Sequence, residues 1–123
     1  MNRQHFTQAI LDVKHNVLRM GTLVENIIDS ALIALQSQDL ELAREVIEKD
    51  NEINQLELEI ERECMMLITL QQPLASDLRT IASALKIITD LERMADNAVN
   101  IADVTLEIGK EPLMKPLIDI PKM

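Results

Sequence analysis

Apolar residues recur along the first third of the chain in alternating steps of four and three: Phe6, Ile10, Val13, Val17, Met20, Val24, Ile27, Ala31 and Ala34. That spacing keeps one stripe of a helix apolar and predicts a single long helix over residues 4–36. Gly21 lies inside it, where a small residue suits close approach by a neighbouring helix at a cost in helix propensity. Ser37-Gln38-Asp39 then breaks the pattern, with Asp39 placed to cap a second helix. That helix runs to about Gln71 on a seam of Ala43, Val46, Asp50, Ile53, Glu57, Ile60, Cys64 and Leu67. Two carboxylates, Asp50 and Glu57, therefore stand where apolar residues are expected. Burying a carboxylate is costly unless it is paired or bound to a cation.

Gln71-Gln72-Pro73 marks the second turn, since proline is tolerated at a helix start. A third helix is expected from about Leu74 to Ile108, with Gly109 as its stop. Its apolar arc centres on Ile81, Leu85, Ile88, Ala95 and Ala102, and Arg79, Lys86 and Arg93 face the opposite way. Short connections make neighbouring helices antiparallel. The reading is all-α: an up-down-up three-helix bundle of long helices over residues 1–110. Pro112, Pro116 and Pro121 bar residues 111–123 from extending the last helix, although Leu113, Met114, Leu117, Ile118 and Ile120 are apolar. That ending is expected to lead into a second module, and the bundle's open edges to pack on such a module or on another copy.

Composition supports helices. Glycine occurs twice, tryptophan and tyrosine are absent, and Leu, Ile, Ala, Met and Glu dominate. A net charge of -9 repels nucleic acid. Apolar runs such as Met65 to Ile68 are far short of the roughly 20 residues of a membrane span. The N-terminus leads straight into an amphipathic pattern and not into the apolar block of a secretion signal. A single cysteine, Cys64, cannot form an internal disulfide, which fits a reducing compartment, and its apolar surroundings read as simple packing.

Acid pairs four residues apart are common in this chain: Glu25/Asp29, Glu41/Glu45, Glu48/Glu52, Glu57/Glu61, Glu59/Glu63, Glu92/Asp96, Asp103/Glu107 and Glu107/Glu111. Most must be solvated helix surface, so position has to sort them. Glu92, Asp96 and Asp103 follow one border of the apolar arc of helix three, with Thr89 and Asn100 beside them, and Glu25 and Asp29 flank the apolar face of helix one. At about 1.5 Å per residue, Glu25 and Asp29 lie roughly 31–38 Å up the bundle and Glu92 and Asp96 roughly 27–33 Å up, with Asp50 and Asn54 near that height. Four or more carboxylates at one level repel unless protonated or bridged by cations. Oxygen-only ligands favour Mg, Ca, Mn or iron over a closed tetrahedral zinc site. The alternative is a solvated acidic border, with Asp50 paired to a neighbouring base.

Two stretches of helix three carry a family resemblance: Gln71-Gln72-Pro73-Leu74-Ala75-Ser76-Asp77-Leu78-Arg79, and Leu85-Lys86-Ile87-Ile88-Thr89-Asp90-Leu91-Glu92-Arg93-Met94-Ala95-Asp96-Asn97-Ala98-Val99-Asn100-Ile101-Ala102. Together they closely resemble the PhoU family. Met20-Gly21-x-Leu23-Val24-Glu25 resembles that family's first helix and Asp50-Asn51-Glu52-Ile53-Asn54 its second, so that the likeness covers about residues 4–120. The resemblance implies a protein of two tandem three-helix modules, of which this chain supplies the first. It further implies a cytoplasmic, often dimeric adaptor that couples the phosphate ABC transporter, through its ATPase subunit, to a sensor histidine kinase. Such an adaptor restrains the phosphate-starvation response. Family Glu/Asp-x-x-x-Asp motifs bind metal clusters, with iron or zinc, which implies metal-ligand roles for Glu92 and Asp96 and for Glu25 and Asp29. Asp50, Asn54, Asn100 and Asp103 are weaker candidates, and the ions to consider are Fe, Zn, Mn and Mg. Asn97 stands where many relatives carry histidine.

Other classes fit poorly. A ferritin-like oxidase needs Glu-x-x-His pairs on inward faces, whereas only His5 and His15 exist and Asp12/His15 points away from the seam. A histidine phosphotransfer module would use an exposed His15, but Leu18 stands where a nearby lysine is expected. No Ser-His-Asp set, glycine-rich phosphate loop or Cys-His pair is present, so no enzyme is indicated. A metal-free helical scaffold or cochaperone-like binder is the alternative.

Overall fold

The computed structural model describes residues 3–70 and 73–109. It contains three helices, α1 (Arg3–Ser37), α2 (Leu40–Leu70) and α3 (Ala75–Ile108), each packed against both others. The turn residues Gln71 and Gln72, and residues 111–123 with the expected lead into a second module, lie outside the described residues.

Local chemistry sets the ends. Asp39 caps α2: its Oδ1 accepts the Leu42 amide at 3.0 Å. The Asp39 amide in turn donates to the Ala34 carbonyl at 2.9 Å, closing α1, with Gln38 in the left-handed region at φ 52°. Pro73 lies just outside α3. The Leu74 amide donates to the Asp77 carboxylate at 3.1 Å, which satisfies one donor at that terminus. Gly109 ends α3 at φ 64°, a conformation glycine adopts without strain, and its amide donates to the Thr105 carbonyl at 3.0 Å. Arg3 pairs with Asp77 at 2.8 Å at one end of the bundle, and Gln38 Nε2 donates to the Gly109 carbonyl at 3.4 Å at the other. Those two contacts make α1 and α3 parallel, with α2 running between them in the opposite direction. The topology is up-down-up.

The α1 seam is buried as its spacing predicts, except that Val17 is only partly covered. On α2 the interior takes Leu56 and leaves Glu57 on its border, because apolar Leu56 fills the same turn without a desolvated charge. On α3 the buried set is Ile81, Ala84, Ile88, Ala95, Ala98, Ala102 and Thr105, with Leu85 at the margin. The Thr105 hydroxyl meets its hydrogen-bonding need by donating to the Ile101 carbonyl at 3.0 Å. Cys64 is fully buried, and burial together with Glu63 and Glu61 pushes its thiol up to about 11, so it packs as a small apolar residue.

Gly21 behaves differently from expectation. A Cβ built at that position meets nothing within 4 Å, so no helix of this bundle requires the glycine. Replacing Gly21 by Ala is expected to raise stability by about 1 kcal/mol through helix propensity alone. Ile53→Ala, at a fully buried position, is expected to cost about 2–5 kcal/mol. Urea denaturation of both variants reads these changes directly.

Candidate functional site

The borders of α2 and α3 left outside the seam face each other and are acidic. Asp50 and Glu57 come from α2, and Glu92 and Asp96 from α3. Burial, and then the charge of Asp96, push the Asp50 carboxyl above its usual range, while a hydrogen bond from Asn54 works against that rise. Glu57 is raised first by burial and then by Glu92, Glu61, Asp96 and Asp50. Glu92 is raised by burial and by Asp96, Asp50 and Glu61, with Arg93 opposing. Arg93 is also engaged with Asp90 at 3.7 Å. With Glu61 included, five carboxylates form one mutually repelling ridge.

Asp50 is its most constrained member. Asn54 Nδ2 donates to Asp50 Oδ2 at 3.3 Å, whereas the buried Oδ1 receives no hydrogen bond. Among the described residues no base pairs with Asp50, which removes the ion-pair alternative for this side chain. An orphaned carboxylate oxygen within an anionic cluster is a position that a cation or a proton would satisfy.

The structure therefore brings Glu92 and Asp96 to Asp50 and Asn54. It does not bring Glu25 and Asp29 into that cluster: both are exposed on α1, and neither is among the charges acting on Asp50, Glu57 or Glu92. Asn100 and Asp103 are exposed further along α3. Glu57 and Glu61 join the ridge without having been assigned to a site from sequence; the seam position of Glu57 was the available signal. Among the described residues, no three His, Cys, Asp or Glu side chains are arranged to hold a metal ion as they stand. The ridge is a surface, not a pocket. Among the described residues, two grooves open elsewhere, one between α1 and α2 beside Asn26, Glu45 and Lys49, another between α1 and α3.

Comparison with known proteins decides the family. The PhoU domain profile matches residues 17–105. This chain belongs to the PhoU family. It is 47% identical over 109 residues to the phosphate-specific transport system accessory protein PhoU homolog of Aquifex aeolicus, covering 89% of this chain and 49% of that protein. The homolog from Pseudomonas putida is 41% identical, over 88% of this chain and 42% of its own length. The crystal structure of PhoU from Pseudomonas aeruginosa superposes with a TM-score of 0.80 at 41% identity, over 84% of this chain and 49% of that one. PhoU from Streptococcus pneumoniae gives the same TM-score at 36% identity, over 89% and 52%. This PhoU-family chain thus spans about half the length of the curated relatives it matches. No helix among the described residues is long and apolar enough to cross a membrane.

The raised carboxyls have a pH consequence with a definite sign. A folded state that holds acid protons more tightly than the unfolded chain loses stability as pH rises. The window runs from the ordinary values of 3.8 for Asp50 and 4.5 for Glu57 and Glu92 up to their raised native values. Below it, the contribution from these three groups is fully present. In metal-free buffer the Glu57→Gln/Glu92→Gln variant is expected to melt above the wild type at neutral pH, with the difference shrinking toward pH 4. Thermal melts across that range check it.

Proposed function

We propose that this chain acts as an accessory regulator of phosphate uptake in the cytoplasm. In this reading it links the ATPase subunit of a phosphate ABC transporter to a sensor histidine kinase and restrains the phosphate-starvation response. The observation that carries the reading is family membership, with relatives up to 47% identical named as phosphate-specific transport system accessory proteins. Three long helices with distinct outer faces suit an adaptor, since each face can engage a different partner without rebuilding the core. Signalling would depend on which partner is bound.

The acidic ridge supports a cation as part of this function. Its donors are all oxygen, and one of them, Asp50 Oδ1, is buried without a hydrogen bond. Asp50, Asn54, Glu92 and Asp96 would hold the ion, with Glu57 and Glu61 adding negative charge. A bound Fe, Zn, Mn or Mg ion would neutralise charge that otherwise destabilises the folded state. A second reading, a metal-free helical scaffold, is favoured by the arrangement itself, in which no three ligating side chains already surround one point.

Elemental analysis and calorimetric titration separate the two. Wild type is expected to retain metal that Glu92→Gln/Asp96→Asn loses, while Glu25→Gln/Asp29→Asn tests the α1 pair independently. Equal metal content in all three proteins would refute the site assignment, and no metal in any of them would leave the scaffold reading standing. Pull-down with the transporter ATPase, with and without chelator, shows whether adaptor binding depends on the ion.

A further inference from the structure

The side of the bundle between α1 and α3 has a chemistry unlike the rest of the chain. A groove of about 660 Å³ runs there, and no acid lines it, although acids outnumber bases by 21 to 12 in the whole sequence. Its floor is apolar. Leu18 on the α1 wall is 72% exposed and Ile87 on the α3 wall 45% exposed, both large apolar side chains left in water. Lys14 stands on one wall and Arg79 on the other. Neither has an ion-pair partner among the described residues, in contrast to Lys86 and Arg93, which both engage Asp90.

A separate observation lies one turn further along the same helix. Gly21 comes three positions after Leu18 and four after Val17, so it continues the α1 wall of the groove. Glycine in a helix interior costs about 1 kcal/mol relative to alanine, and nothing among the described residues approaches close enough to need it. A bare backbone beside an apolar groove suits close packing by a helix from outside.

We propose that the α1–α3 groove docks an amphipathic helix of a partner protein, apolar on its inner face and acidic along both flanks. The groove's extent along α3, from Ser76 to Ile87, is about three helical turns at ~1.5 Å per residue. Leu18 and Ile87 meet the apolar face, while Lys14 and Arg79, on opposite walls, each meet a carboxylate flank. Local charge selects this occupant: the groove holds two cations and no acid, whereas a basic helix would be drawn to the acids of the α2–α3 ridge. The inference rests on the adaptor reading only for the existence of a partner.

The test uses the full chain and two labelled synthetic helices of about 18 residues, with leucines at the i, i+3, i+4 and i+7 positions. One carries glutamate along the flanks and the other lysine. Fluorescence anisotropy is expected to show the acidic helix binding and Lys14→Glu/Arg79→Glu weakening it by about tenfold or more. Reversing two exposed cations of α2, in Arg44→Glu/Arg62→Glu, controls for net charge and should weaken it far less. Gly21→Leu should block the site, whereas Gly21→Ala folds more stably and retains most binding. Preference for the lysine helix, or equal loss in both charge-reversed proteins, overturns the proposal. So does self-association of the wild type that Gly21→Leu abolishes, which would make the occupant a second copy. Transporter and kinase pull-downs fail or succeed independently of this peptide measurement, so the two readings stand or fall apart.

Discussion

The burial of one continuous apolar seam shared by three long helices is the constraint on which everything else rests. No single helix can hide its own stripe, so the three must converge, and short connections allow only the alternating direction observed. The interior is graded along its length. Phe6, Ile10, Ile60 and Ile81 fill the end near the start of α1, while Ala31, Ala34, Ala43, Ala95, Ala98 and Ala102 fill the opposite half. Val24, Ile27 and Val46 complete the core at that end.

Burying this seam has an electrostatic cost on one face. Where α2 and α3 draw together, Asp50, Glu57, Glu92 and Asp96 cannot all keep full hydration, and their charges act on one another. Asp50 shows the conflict at the level of single atoms: one oxygen is held by Asn54, and the other is buried without a donor. Hydrophobic packing thus concentrates negative charge along this ridge instead of dispersing it, which is the charge the proposed cation would neutralise.

Another border of the same seam has the inverse character. Between α1 and α3, apolar side chains spill outward past the core and cations, not acids, stand beside them. A protein with an anionic ridge on one side and a cationic, greasy groove on another can tell its partners apart by charge alone. In the proposed adaptor role, such segregation would keep two contacts from competing for one surface.

The fold was legible because helix periodicity is a local property. The seam of α1, the Asp39 cap, the Gly109 stop and the three helix spans all come from spacing and turn chemistry within a few residues. The candidate site was legible in part: Glu92, Asp96, Asp50 and Asn54 stand where helix heights predicted, and Asp50 and Glu57 announced themselves as acids on an apolar stripe. What spacing could not decide was rotation. Height along the axis puts Glu25 and Asp29 level with the ridge, but only the packing of α1 against its two neighbours turns them away from it, and only that packing chose Leu56 over Glu57 for the interior. Sequence therefore determined which helices form and which of their faces are apolar. Tertiary structure decided which borders meet, because the angle at which each stripe faces the common axis depends on all three helices at once.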